Sequence, residues 1–309
     1  MVEYWKIDTG FHRINNWESD CWIRVTNPTN KEMAMLESTY DVPLDFAHDA
    51  EDAEERPRLE TEDGWLMVII RVPVRLKDED GDDVFVTRPL ALMTRDDVFI
   101  SVGHFKSEVL DDFVSWTCRR KITDRRRYDL VLALTLSSSV WYLKYLKQMN
   151  VMMKNAEDRL DKKMDNDELQ RMMGLGKFLV YFETSLRGNE VVVVRLKKFL
   201  RDKEHNEDLL DDVEIEMLQA YDTARIYGEI LERQQSSYSS IIGNSLNVTM
   251  KTLTIITILL MIPTLIAGFY GMNVPNGMES WLWAFLLIII VSVILSALSY
   301  YLLKIRKLL

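Results

Sequence analysis

The stretch Leu253-Thr-Ile-Ile-Thr-Ile-Leu-Leu-Met261-Ile-Pro-Thr264-Leu-Ile-Ala-Gly268-Phe269 runs into Tyr270-Gly271-Met272-Asn273, and a second apolar run follows from about Trp281 to Leu303. Neither run contains Lys, Arg, Asp or Glu. A bilayer core of about 30 Å is crossed by roughly 20 mostly apolar helical residues, so both runs are long enough to span one. A helical hairpin with a short loop between the spans is the simplest reading. The remaining sequence is strongly charged and cannot enter lipid. The chain therefore reads as a large water-soluble domain attached to a small membrane domain.

The net charge of -10 resides in the soluble part. An acidic balance argues against a nucleic-acid partner, which selects basic patches, and favours attraction of cations. Cys21 and Cys118 are far apart and form no metal or redox motif, as expected of free thiols in a reducing compartment. The N-terminal MVEYWKIDTG lacks a basic-then-apolar signal pattern. Lys251 precedes the first span, and Lys304, Arg306 and Lys307 follow the second, whereas the loop Gly271–Ser280 has no basic residue. The positive-inside rule then places both termini in the cytoplasm. Trp281, Trp283, Tyr300 and Tyr301 fit interfacial aromatic belts.

The first third mixes strand and helix signals. Cys21–Val25, Trp65–Leu76, Val84–Met93 and Val98–Val102 read as strands, and Lys31–Thr39, Leu44–Ala53 and Glu108–Trp116 as helices, which predicts an α/β domain with a sheet. Asp78-Glu79-Asp80-Gly81-Asp82-Asp83 has the wrong spacing for a calcium loop and reads as a hairpin turn. After about Arg125 the sequence is helical: Tyr128–Met164, then Glu168–Leu200, with Arg187-Gly188-Asn189 either a turn or a tolerated glycine. From about Asn206 to Tyr270 there is no proline before Pro263, and one helix of roughly 100 Å is expected. A helix this long needs partners along its length, and parallel copies from several subunits would supply them.

One face of the first span carries Asn247, Met250, Thr254, Thr257, Met261, Thr264, Gly268 and Gly271 at alternating steps of three and four. This is a heptad seam of polar, small or flexible side chains. Such a seam serves either helix packing in lipid or the wall of a water-filled pore, and the neutral, polar Asn273 at its outer end adds weight to the pore. The carbonyl end of the span points outward and carries partial negative charge, which favours a cation. Glu279 could add attraction. A ring of Asn273 amide oxygens could accept hydrogen bonds from the waters of a hydrated ion, which suits magnesium, an ion that dehydrates reluctantly.

With Tyr270-Gly271-Met272-Asn273 closing the first of two C-terminal spans, the chain resembles the CorA magnesium transporters. The match extends through Met250-Lys251-x-Leu253-Thr254 and Ile266-Ala267-Gly268-x-Tyr270 and covers the architecture of the whole chain. The resemblance implies an α+β fold arranged as a pentameric funnel. It divides the chain into a cytoplasmic α/β domain (1–125), long acidic helices (126–205), a stalk (206–248), a pore-lining span (249–270), an extracellular loop (271–280), a second span (281–303) and a basic cytoplasmic tail (304–309). It implies a homopentameric channel of the cell membrane with a selectivity filter at Gly271, Met272 and Asn273. Asn247, Met250, Leu253, Thr254, Thr257, Met261, Thr264 and Gly268 would line the conduit, and Met250 and Leu253 would form its hydrophobic constriction. Asp49 and Asp212 would hold a regulatory magnesium between neighbouring subunits. His48 stands where the family often has an acid, and the outer loop lacks the family's Met-Pro-Glu-Leu pattern.

Cobalt or nickel could be carried on the same scaffold. Zinc prefers His or Cys ligands; the spans and loop have neither, and His12, His48, His104 and His205 show no ligand spacing. An enzyme on a membrane anchor would need a catalytic motif, and no phosphate loop, HExxH or nucleophile elbow is present. A plain membrane tether would tolerate Asn273→Ala.

Overall fold

The computed structural model describes residues 1–7, 10–49, 51–52, 54–79, 81–120, 127–162, 166–272, 277 and 282–305. Two units emerge, Met1–Arg233 and Gln234–Leu309.

In the first unit, β1 (Val2–Ile7), β2 (Phe11–Ile14) and β3 (Cys21–Thr26) precede α1 (Asn30–Tyr40) and α2 (Leu44–Asp49), and β4 (Arg58–Glu62), β5 (Trp65–Lys77), β6 (Asp83–Arg95) and β7 (Val98–Gly103) follow. They form a seven-stranded sheet in the order β2-β1-β3-β7-β6-β5-β4. All neighbours are antiparallel except β3 and β7. That parallel pair is the one joined by a long crossover, as parallel pairing requires.

Trp65 to Ile70 and Leu90 to Met93 are buried without interruption. Such continuous burial reports a sheet covered on both faces. Ile23, Val25, Met67, Ile69, Ala91, Met93, Ile100 and Val102 share one core with Met33, Leu36 and Tyr40 of α1 and Phe46 of α2. The alternate residues Trp22 and Arg24 point to the other side, where Trp22 meets Phe113 and Arg24 Nη2 pairs with Asp111 at 2.6 Å. Both partners belong to α3 (Glu108–Arg120).

α1 begins with a capping box, in which Thr29 accepts from the Glu32 amide and Glu32 accepts from that of Thr29. α2 ends at Asp49, earlier than the Ala53 expected from sequence, and Glu51 lies in a turn. The Asp-rich run is the expected turn: the Asp82 amide donates to Asp78 Oδ1 at 2.8 Å, and Gly81 takes the left-handed φ of 84°. Asp80 lies outside the described residues.

α4 (Arg127–Lys162) and α5 (Asn166–Leu200) pack against the β4–β6 region. Phe85 of β6 contacts the rings of Tyr145, Phe178 and Phe182, which close the core there. Gly188 proves to be a tolerated glycine inside α5, and the reason is local: a Cβ there would lie 2.9 Å from Pro57 Cγ. Asn189 beside it is fully buried and clamps the backbone of Arg71, accepting from its N–H at 2.8 Å and donating to its carbonyl at 2.7 Å. The Arg71 backbone therefore points away from β6, and Arg71 opposite Pro89 is a non-hydrogen-bonded pair. Pro73 opposite Thr87 has the same parity. Both prolines thus sit where β5 and β6 exchange no bonds, which is how long paired strands tolerate them.

α6 (Glu207–Tyr270) is one helix of 64 residues. Its start is fixed by Asn206, whose Oδ1 accepts from the Leu209 amide at 3.1 Å. The Asn206 amide in turn donates to Asp129 Oδ1 of α4 at 2.8 Å. Lys197 of α5 pairs with Glu214 of α6 at 2.6 Å. The helix continues into the second unit, which α7 (Ala284–Ile305) completes.

Candidate pore-lining face

The apolar windows of α6 and α7 are only 6% buried in the chain. A soluble core helix of that length would be mostly buried, so these surfaces require an apolar surrounding. Within α6, Ile255 is buried and Leu259, Ile266 and Tyr270 are half-buried. At about 100° per residue these four fall on one side of the helix. Pro263, Ala267 and Tyr270 there, together with Phe285, Ile288 and Ser292 of α7, line a cavity of about 470 Å³.

The seam falls on the opposite side. Asn247, Met250, Leu253, Thr254, Thr257, Met261, Thr264, Gly268 and Gly271 are all exposed in the chain. A Cβ on Gly268 would meet nothing within 4 Å, so no neighbour within this chain demands glycine at that point. Met272 is exposed too, while Asn273, Glu279 and Trp281 lie outside the described residues.

The seam hydroxyls share one arrangement. Thr254 Oγ1 donates to the Met250 carbonyl, Thr257 Oγ1 to that of Leu253 and Thr264 Oγ1 to that of Leu260, each at 2.8 Å. This is the back-bonding of hydroxyl residues inside helices. Each hydroxyl hydrogen is engaged within the helix, which leaves the oxygen lone pairs as what the side chain offers outward. Such a face accepts hydrogen bonds from water and suits the solvation shell of a cation.

Asp49 and Asp212 are not brought together by a bond within the chain. Asp49, at the end of α2, pairs with Arg58 of β4, and Asp212 is exposed on α6. Arg58 also holds Glu55 and, at 2.9 Å through Nε, Glu60. Burial works against its charge, but Asp49 first, then Glu55 and Glu60, hold the guanidinium pKa above its ordinary value. Among the described residues no group of three or more His, Cys, Asp or Glu side chains is arranged to hold a metal within the chain. His48 has no described side chain. Sequence reasoning missed Arg58 because nothing in Arg56-Pro57-Arg58 marks which arginine faces Asp49.

It also missed the role of Pro263. Proline has no amide hydrogen to return to the carbonyl four residues earlier, and the Leu259 carbonyl instead accepts Ser296 Oγ of α7 at 3.4 Å. At the C-terminal end of α6, the Gly271 amide still donates to the Ala267 carbonyl at 2.9 Å, and a Cβ on Gly271 would sit 3.3 Å from that oxygen.

A sheet-based α/β unit, a helix that runs on into an apolar stretch, a second apolar helix and a polar seam on the uncovered side of the first together fit a membrane protein of the transporter class. Residues 17–306 match the family model described as CorA-like Mg2+ transporter protein, and the chain belongs to this family, one of transporters and not of enzymes. The cobalt/magnesium transport protein CorA of Methanocaldococcus jannaschii is 26% identical over 286 residues, covering 88% of this chain and 87% of that protein. The complete structure of the CorA magnesium transporter from the same organism shares the fold, with a TM-score of 0.80, 22% identity and coverage of 98% of this chain and 97% of that one. The full-length CmaX protein is similar in fold at a TM-score of 0.73 and 15% identity, again covering 98% of this chain and 97% of that chain.

Proposed function

We propose that copies of this chain, five in number, surround a magnesium-conducting pore in the cell membrane, with the α6 seam as its wall. The observation that carries this reading is the placement of the seam. It lies on the face away from α7, wholly exposed, with each threonine hydroxyl hydrogen engaged by its own helix so that only lone pairs remain to accept. In this reading Gly271, Met272 and Asn273 form the outer filter, where Asn273 oxygens bind the waters of a hydrated ion, and Glu279 concentrates cations at the mouth. Met250 and Leu253 form an apolar neck that gates by dewetting. Both termini are cytoplasmic, the boundaries being those expected from sequence.

Influx follows the membrane potential, which gives a divalent ion roughly 4–5 kcal/mol per 100 mV. Intracellular magnesium closes the pore by neutralising Asp49 of one subunit and Asp212 of the next; its loss lets the carboxylates repel. The archaeal relative is named for both cobalt and magnesium, so cobalt, and nickel by its similar size, are candidate cargo.

The test is magnesium uptake into proteoliposomes under an inside-negative potential. Wild-type protein is expected to carry magnesium, and Asn273→Ala to abolish uptake with assembly intact. Uptake unaffected by Asn273→Ala would place the filter elsewhere. A wild type that stays silent even without internal magnesium would end the channel reading.

A further inference from the structure

The break that Pro263 makes in α6 falls at one defined atom. Leu259 O has lost its helical donor, and in hydrocarbon no water replaces it, so another group must. Ser296 Oγ of α7 reaches it at 3.4 Å. Leu259 lies on the side of α6 that faces α7, opposite the seam. Ser292, one turn earlier on α7, is buried and lines the same cavity as Pro263 and Ala267. Two serines at helical spacing thus meet the broken turn from behind, while Thr264 Oγ1 donates to the neighbouring Leu260 carbonyl and leaves that of Leu259 to α7.

We propose that Ser296 is a positioning residue for ion conduction. By supplying the donor that Pro263 withholds, it ties α6 to α7 where the α6 ladder is interrupted. It thereby sets the direction in which the outer seam residues Thr264, Gly268 and Gly271 face. This rests on the reading that the seam lines the pore. A proline in a helix is the usual site of a bend, and a hydroxyl donated across that point from the next helix restrains the angle the chain can take there. The ion never meets Ser296; the residue acts through the orientation of the wall.

The test is a double-mutant cycle of Ser296→Ala and Pro263→Ala, with Ser296→Thr as the conservative control, in the assembled full chain. Potential-driven magnesium uptake is read in proteoliposomes. Amide hydrogen exchange over 264–268 is read in detergent. Ser296→Ala should change uptake by about threefold, the size of an average interhelical hydrogen bond in a membrane protein, and raise exchange in that turn. Ser296→Thr, which keeps the hydroxyl, should stay near wild type. Pro263→Ala restores an N–H to Leu259 O, so adding Ser296→Ala to it should change neither readout.

An equal effect of Ser296→Ala in both backgrounds would mean that Ser296 merely packs, and the proposal falls. An exchange cycle without a flux cycle would leave the bond real and the positioning role overturned. A wild type that carries no ion sinks the pore reading and the positioning role with it, and exchange alone then decides whether the bond holds the broken turn.

Discussion

The side-chain amide of Asn189 grips both backbone polar groups of Arg71, at 2.8 Å to the nitrogen and 2.7 Å to the oxygen. A helix side chain here does the work of a missing strand, since β4 pairs with β5 only as far as Ile69. The Tyr142 hydroxyl donates to the same carbonyl at 2.9 Å, so the oxygen has a second partner and the N–H has none. Asn189→Ala should therefore cost about 1–3 kcal/mol, the penalty of an unsatisfied buried donor. Gly188→Ala should cost a similar amount by pressing on Pro57. Denaturant unfolding of the soluble domain within the full chain measures both, and transport per folded channel should be unchanged.

Arg58 competes with any cation for Asp49. Arg58→Ala should free the carboxylate and lower the magnesium concentration that closes the pore by about three- to fivefold, in line with an ion pair worth up to about 1 kcal/mol. Magnesium titration of proteoliposome uptake checks this. An unchanged midpoint would overturn the regulatory role proposed for Asp49.

Thr257→Val and Thr264→Val preserve shape while replacing an oxygen by a methyl group. Each should reduce magnesium uptake severalfold, because a wall that accepts from an ion's waters loses one acceptor per subunit. Thr252 is the control. It makes the same back-bond, to Val248 O at 2.9 Å, but lies off the seam, so Thr252→Val should conduct normally. Equal losses at all three positions would point to helix stability instead.

Glu32 offers a pH test. The Thr29 amide, assisted by other donors around the capping box, holds its carboxyl below the ordinary 4.5. A carboxyl depressed by folding adds stability above its unfolded pKa, and that stability is lost as pH falls through the lower folded value. The group is largely solvent-screened, so the effect is small. Acid unfolding followed by circular dichroism should show a flatter profile below pH 4.5 for Glu32→Gln than for wild type.

The long elements were legible because their signals repeat. The apolar runs of β5 and β6, the uninterrupted helical sequence of α6 and the seam of the first span each rest on many residues. β1, β2 and β4 escaped notice for physical reasons. β2 has four residues and ends the sheet, and β4, Arg-Leu-Glu-Thr-Glu, is the charged sequence that protects an exposed edge. Leu44–Ala53 was expected to be one helix, but propensity could not reveal that Asp49 closes it. Gly188 looked ambiguous because its neighbour Pro57 is remote in sequence. At the candidate site, spacing alone put the seam on one face, but it could not show that α7 covers the other. Nor could it show that a serine in the second span answers the proline in the first; that pairing exists only once the hairpin is folded.

The threonine back-bonds have one further consequence. A hydroxyl whose hydrogen is held by its own helix can turn only lone pairs to whatever lies beside it. In α6 the hydroxyl hydrogens of Thr254, Thr257 and Thr264 are engaged by their own helix. A conduit lined this way should offer an anion no threonine donor along its wall, so that sign selection would begin in the spans themselves, without a charged side chain.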